Sequence, residues 1–273
     1  MPKRATGYLH GFTKDEQDRL IRQAKQLEPF IHDQLPFRRA DQLIEIGCGV
    51  GAQTSILLRY FPDLHVTGVD RSKENLERAE SYLATQPWAT SRYTLRHGDA
   101  EYLPFEAATF DAAFVCWILE HVAEPMRVLS EARRVLRPGA PIVCTEVMNA
   151  TFFVDPYSPH TLDFWRAFND HQLAIGGDPF VGAKLGNLLQ AVGFRDVQTT
   201  VKTFHLDNRA PGERAEMLAY WTELLLSAAP GLEQAGKISE RTVRGMEEEL
   251  VQVGRDPNAV FFYSFVQARA RVW

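Results

Sequence analysis

The chain has 273 residues, of which 45% are hydrophobic and 24% charged, and a formal net charge of −5. That length can bury a full core, so one domain with appendages is the default, and the acidic balance argues against a nucleic-acid partner, whose affinity rests on Lys and Arg contacts to phosphates. No segment reaches the roughly 20 uninterrupted apolar residues of a membrane span, and Met1 to Thr6 lack the apolar core of a signal peptide.

From the N-terminus, Lys14 to His32 carries Leu20, Ile21, Ala24, Leu27 and Ile31 at helical spacing behind a capping Thr13, which predicts an amphipathic helix. Next comes Leu43-Ile-Glu-Ile-Gly-Cys-Gly-Val-Gly51, an apolar run ending in an acid and three alternate glycines, followed by helix-forming Ala52 to Tyr60. Glycine leaves no Cβ between backbone and ligand, so a strand, a tight cofactor turn and a helix are predicted. Val66 to Val69 is a second strand ending in Asp70, about 20 residues after the glycines, where a carboxylate can accept ribose hydroxyls. Glu45 is out of place beside a pyrophosphate and suits a cationic, amine-bearing nucleoside; the cofactor suggested is S-adenosylmethionine.

Tyr93 to His97 forms a third strand, and Gly98-Asp99-Ala100 at its end places Asp99 to accept from an adenine amino group. Phe110 to Cys116 forms a fourth, leading into Trp117-Ile-Leu-Glu-His121, and Leu136-Arg-Pro-Gly139 closes a helix before the fifth, Ala140 to Glu146. Met148 to Phe180 reads as aromatic-rich and irregular. A helix over Val181 to Val192 and a strand near Asp196 to Thr203 follow. Residues 206–257 insert two helices, Gly212 to Ala228 and Gln234 to Val253, ahead of a last strand, Ala259 to Val272. The alternation argues for a parallel sheet with helices on both faces.

The ordered set EIGCGVG, TGVDRS, HGDAEYLPF, FDAAFVCWILEHV and VLRPGAPIV, over about residues 40 to 147, resembles the class I S-adenosylmethionine-dependent methyltransferases. More closely it resembles their small-molecule branch, which includes quinone-biosynthesis-like enzymes. The resemblance implies an α/β fold: a doubly wound seven-stranded sheet (a Rossmann-like methyltransferase fold with its last strand antiparallel), an N-terminal helix and a helical lid insertion. The core is expected over 35–205 plus 258–273, an N-terminal latch and helix over 1–34, and lid or acceptor-binding insertions over 148–181 and 206–257. For the cofactor it implies Tyr8, Gln23, Glu45, Gly47, Cys48, Gly49, Gly51, Gln53, Asp70, Arg71, Asn75, Asp99, Ala100, Cys116 and Trp117. Base-modifying amino-methyltransferases of this superfamily carry Asn or Asp, Pro-Pro and an aromatic after the fourth strand; here the segment is Cys116-Trp-Ile-Leu.

The acceptor pocket is expected beyond the carboxyl ends of strands four and five. Trp117, Glu120, His121, Glu146, Asn149, Tyr157, His160, Trp165, Phe168, Asn169 and His171 are expected to face it, with Tyr263 from the last strand. Together the aromatics favour an apolar or aromatic acceptor, with oxygen slightly favoured over nitrogen as the methylated atom. Where a base is needed, His121 is the first candidate and His160 and Glu146 follow; an amine acceptor would need Glu120 and Glu146 to orient it.

Two other readings compete. Gly47, Gly49 and Ala52 also satisfy G-x-G-x-x-G/A, the fingerprint of an NAD-dependent dehydrogenase, but Glu45, Asp99 and the leading helix weigh against it. The other is a scaffold that binds S-adenosylmethionine without turnover. Helical spacing of Met217, Tyr220, Trp221, Leu224 and Leu225 reads as a lid over the acceptor, or as the face of a homodimer. Cys48, Cys116 and Cys144 are odd in number and lack metal-ligand spacing, so no metal is expected and the thiols read as reduced packing residues of a cytoplasmic protein. The expected partner is a small-molecule substrate, with no nucleic acid and no membrane.

Overall fold

The computed structural model describes Gly11 and residues 13–273. Short apolar runs form five parallel strands, β1 (Gln42–Ile46), β2 (His65–Asp70), β3 (Tyr93–His97), β4 (Ala112–Cys116) and β5 (Pro141–Val147), in the order β3-β2-β1-β4-β5. Beyond β5 lies β8 (Val260–Arg271), antiparallel to it, and β8 in turn pairs with β7 (Arg195–Leu206). A short β6 (Phe153–Asp155) pairs with Val260 to Phe262 of β8, while β5 pairs with Phe265 to Arg271. The sheet therefore holds the seven expected strands plus β6, and β8 runs against all the others.

Strand parity divides the core into two layers, because successive side chains point to opposite faces. Leu43, Ala112, Phe114 and Val143 pack with residues of α1 (Lys14–Ile31), α2 (Ala52–Tyr60), α3 (Lys73–Leu83), α7 (Pro211–Gln234) and α8 (Glu240–Arg255). Ile44, Ala113, Val115, Ile142 and Cys144 pack on the opposite face with α4 (Pro125–Val135) and α6 (Leu185–Ala191).

α1 begins where the sequence places it: the Thr13 hydroxyl accepts from Glu16 N at 3.2 Å. The stretch after β5 is not irregular, for residues Pro159–Ala174 form α5, sixteen residues long. Its buried face is Thr161, Phe164, Trp165, Phe168, Asn169 and Gln172, so three polar residues interrupt the apolar stripe that periodicity would detect. Glu249 of α8 caps it, accepting from His160 N (3.0 Å), Thr161 N (2.8 Å) and the Thr161 hydroxyl (2.9 Å). α7 runs on through Pro230 to Gln234, and α8 starts only at Glu240, because the Ser239 hydroxyl caps Thr242 N. The helix expected from Val181 opens as a 3-10 turn, Val181–Lys184, before α6.

His32, just after α1, lies 1% exposed with its ring stacked on Phe114 at 5.7 Å, and neither ring nitrogen has a hydrogen-bond partner. Burial lowers its pKa to about 4. Since the unfolded chain binds this proton near pH 6.5 and the folded chain only near 4, stability is fully present above pH 6.5 and falls as pH drops towards 4. A His32→Phe variant should lose a pH dependence of about 3 kcal/mol over that window, measured by urea unfolding at successive pH values. An unchanged slope would show that His32 is not buried neutral.

Candidate active site

The turn after β1 places Gly47, Gly49 and Gly51 at φ of +76°, +51° and +73°, where side chains are strained. Their surroundings differ. A Cβ on Gly47 would lie 2.6 Å from Ile118 Cδ1 and one on Gly51 3.2 Å from Ala79, whereas the space beside Gly49 is open. Gly49 is thus the point where a ligand can meet the backbone, while Gly51 starts α2 and packs on α3. Gly47 N and Cys48 N both donate to Val69 O (2.8 and 3.0 Å), tying the turn to β2.

Asp70, at the end of β2, accepts from Gly49 N through Oδ2 (2.9 Å) and from Ser72 N through Oδ1 (2.8 Å). Burial raises its pKa, and these N–H donors only partly offset that. Further donors, such as a pair of ribose hydroxyls, would stabilise the ionised form. Asp99 accepts from Glu101 N at 2.9 Å, fixing the turn after β3. Gln53, on the same wall, has a buried Oε1 with no partner. An open backbone, a donor-seeking carboxylate and an unpaired amide oxygen fit a nucleoside cofactor.

From this end a single cavity of about 1110 Å³ runs across the carboxyl edge of the sheet. The end at the glycine turn carries Gln23, Gly47, Cys48, Gly49, Gln53, Asp70, Arg71, Asn75, Asp99, Ala100 and Cys116. The far end is a chamber of aromatic rings: Trp165 stacks on Phe168 (5.4 Å), Trp221 meets Tyr263 edge-on (4.7 Å), and Trp117 meets Phe265 (6.2 Å). The polar groups there are held from behind. Tyr263 OH donates to Asn149 Oδ1 at 2.9 Å, and Asn149 Nδ2 donates to Asn169 at 2.8 Å, so Asn149 is on the wall and Asn169 behind it. Glu120 Oε2 accepts from Gln172 Nε2 at 2.9 Å, leaving Oε1 3.6 Å from His121 Nε2. Burial lowers the His121 pKa, with the Glu120 charge opposing, so the imidazole is neutral at pH 7.

Other expected residues stand elsewhere. Glu45 is behind the turn rather than on the wall: its Oε2 accepts from Thr54 Oγ1 at 2.5 Å, and burial raises its pKa to about 8. Its carboxyl group thus meets Thr54 of α2 rather than the cavity. Glu146 is wholly buried and off the wall, its carboxylate taken up by backbone N–H groups of the turn after β4. His160 is at the start of α5, its ring over Gly245 of α8, and Tyr157 is 78% exposed; neither lines the cavity, nor does His171. Tyr8 lies outside the described residues.

Tyr220 and Trp221, expected on the lid, line the cavity, and residues not anticipated include Arg19 and Phe204. Arg19 is 4% exposed, bidentate to Glu16 (2.7 and 2.6 Å) and bonded to Gln23 Oε1 at 2.8 Å. A charged residue within an amphipathic helix reads as solvated, and the only sequence signal for its burial is Glu16 three positions earlier. Among the described residues no group of three His, Cys, Asp or Glu could hold a metal, and no helix is long and apolar enough to cross a membrane.

A crevice at the carboxyl edge of a doubly wound sheet, with a glycine turn after the first strand and acids after the second and third, defines a Rossmann-like nucleoside-binding enzyme core. Residues 44–144 match the family model described as a methyltransferase domain. The likeness to methyltransferases is carried by that segment, which spans β1 to β5 and the glycine turn. The chain is 34% identical to 27-O-demethylrifamycin SV methyltransferase of Amycolatopsis mediterranei (48% of this chain, 47% of that protein). It is 38% identical to demethylmenaquinone methyltransferase of Symbiobacterium thermophilum (41% and 45%), and 28% identical to O-methyltransferase cnsE of Penicillium expansum (71% and 67%). The matches thus span about half the length of the first two relatives. In fold it is similar to phosphoethanolamine N-methyltransferase 2 of Haemonchus contortus in complex with S-adenosyl-L-methionine (TM-score 0.56, 18% identity, 96% of this chain and 57% of that one). It is also similar to the [4+2]-cyclase SpnF (TM-score 0.54, 19% identity, 93% and 82%).

Asp70→Ala removes a charge that both braces Gly49 and faces the cofactor end. The variant should stay folded and bind S-adenosylhomocysteine at least about tenfold more weakly by calorimetry, the cost of one or two charge-assisted hydrogen bonds. Unchanged affinity would remove Asp70 from the cofactor site.

Proposed function

We propose that the chain transfers a methyl group from S-adenosylmethionine to an oxygen of a small, apolar or aromatic acceptor. The observation that carries this is the continuity of one cavity from Gly49, Asp70 and Asp99 to the aromatic chamber that holds Glu120 and His121. O-methyltransferases among the relatives support oxygen as the methylated atom. The chamber supports a neutral acceptor: its described wall carries no lysine, and Arg19 is already paired with Glu16.

When bound, the cofactor supplies a methyl already activated by its sulfonium, so the chain's tasks are alignment, exclusion of water and removal of one proton. We assign the cofactor to the turn at Gly47 to Gly51 with Gln23, Gln53, Asp70, Arg71, Asn75, Asp99 and Ala100, and the acceptor to Trp117, Asn149, Trp165 and Phe168. Tyr220, Trp221 and Leu224 of α7 bring the insertion over the chamber, and we read it as its lid. Leu225, Leu232, Met246, Leu250 and Val253, the apolar face of α7 and α8, are buried in the chain's own core, which supports a lid over a homodimer face. Three free cysteines fit a reducing, cytoplasmic setting. In the reaction the acceptor oxygen gains the methyl and loses its proton to the neutral His121 imidazole, and the Glu120 carboxylate stabilises the imidazolium that forms.

Methyl transfer to a panel of phenols and hydroxyquinones, followed by S-adenosylhomocysteine release, should fall on the acid side through a limb below pH 6.5, because burial lowers the His121 pKa. His121→Ala should cost about 100-fold and flatten that limb. A retained limb with near-normal turnover would exclude His121 as the proton acceptor.

A further inference from the structure

Trp117 follows β4 with φ +53°, a left-handed conformation that a bulky side chain holds only when its surroundings enforce it. The enforcing group is on the neighbouring strand. Ile118 N and Leu119 N donate to Glu146 Oε1 at 3.0 and 2.8 Å, and Glu120 N reaches Oε2 at 3.4 Å, so one carboxylate collects three consecutive backbone N–H groups. Glu146 is 0% exposed on β5, one residue beyond Thr145, whose carbonyl accepts from Trp117 N at 2.9 Å.

This turn touches everything the proposed reaction needs. Trp117, Glu120 and His121 line the acceptor chamber, and the Ile118 side chain fills the space over Gly47 in the cofactor turn. We propose that Glu146 is the positioning residue of the site, a buried acceptor that clamps the Trp117–His121 turn and so sets the cofactor turn, the chamber wall and the His121 imidazole in register. The inference rests on the methyl-transfer reading and replaces any role for Glu146 as a base, since the carboxylate is enclosed and already engaged. What the clamp requires is an oxygen at the right reach. Glu146→Gln keeps an oxygen for Ile118 and Leu119, the two short contacts, and places its amide at the long one. Glu146→Asp keeps the carboxyl group but withdraws it by one methylene from all three. Glu146→Ala leaves the N–H groups without an acceptor.

The test measures S-adenosylhomocysteine affinity by calorimetry and the His121 titration by ¹H–¹⁵N NMR, its resonance assigned with His121→Ala. The clamp predicts Gln within about threefold of wild-type affinity and with the His121 titration in place. Asp, and Ala if it folds, should lose about tenfold or more in affinity and move that titration. Asp matching or exceeding Gln in both readouts would overturn the proposal, as would a folded Ala variant that matches wild type. Wild-type protein giving no binding heat would contradict the cofactor reading instead, and the His121 titration would still test the clamp.

Discussion

The strand order reverses at β1. From there the chain winds outward to β2 and β3, then returns to place β4 on the other side of β1. The connections leaving the carboxyl ends of β1 and β4 therefore part in opposite directions, and a crevice opens between them. The split places the groups at the strand ends: Asp70 and Asp99 come from the β2 and β3 side, and Trp117, Glu120 and His121 from the β4 side. The two sides meet where Ile118 fills the space that a side chain on Gly47 would need. Gly47 is therefore demanded by close packing as well as by its dihedral angles, whereas Gly49 is left open towards the cavity.

Carboxyl groups crowd this edge of the sheet, and burial gives them different fates. Glu45, enclosed behind the turn and bonded to Thr54, has its pKa raised to about 8 by burial, with the Asp70 charge acting in the same direction. Asp70 has two backbone donors that favour its charge, against burial that opposes it. Glu146 is pushed upward by burial and by Glu120, with its three N–H partners acting in the other direction.

Much of this was legible in the chain. β1 to β5, the glycine turn, Asp70, Asp99 and the Trp117–His121 segment follow from apolar runs bounded by glycines and acids, because a buried parallel strand cannot disguise its composition. α5 was not legible, since Thr161, Asn169 and Gln172 occupy its buried face and serve the polar network behind the chamber. Arg19 was hidden for a related reason: its charge is buried where Glu16 and Gln23 meet it on the same helix and Tyr220 of α7 reaches it. Glu146 could not be placed from its strand, whose interior residues are buried on both faces, so alternation says nothing of which side meets the cavity. Tyr157 and His160 follow β6 beside aromatic neighbours, yet their distance from the chamber depends on how α5 docks against α8.

The central claim is that cofactor end and aromatic chamber form one working site. A crystal structure of the chain with S-adenosylhomocysteine tests it most directly. The account predicts the ribose on Asp70, the adenine at Asp99, and the sulfur turned towards the chamber between Trp117 and His121. Binding with the sulfur directed away from the aromatic chamber, or in a separate cavity, would contradict it.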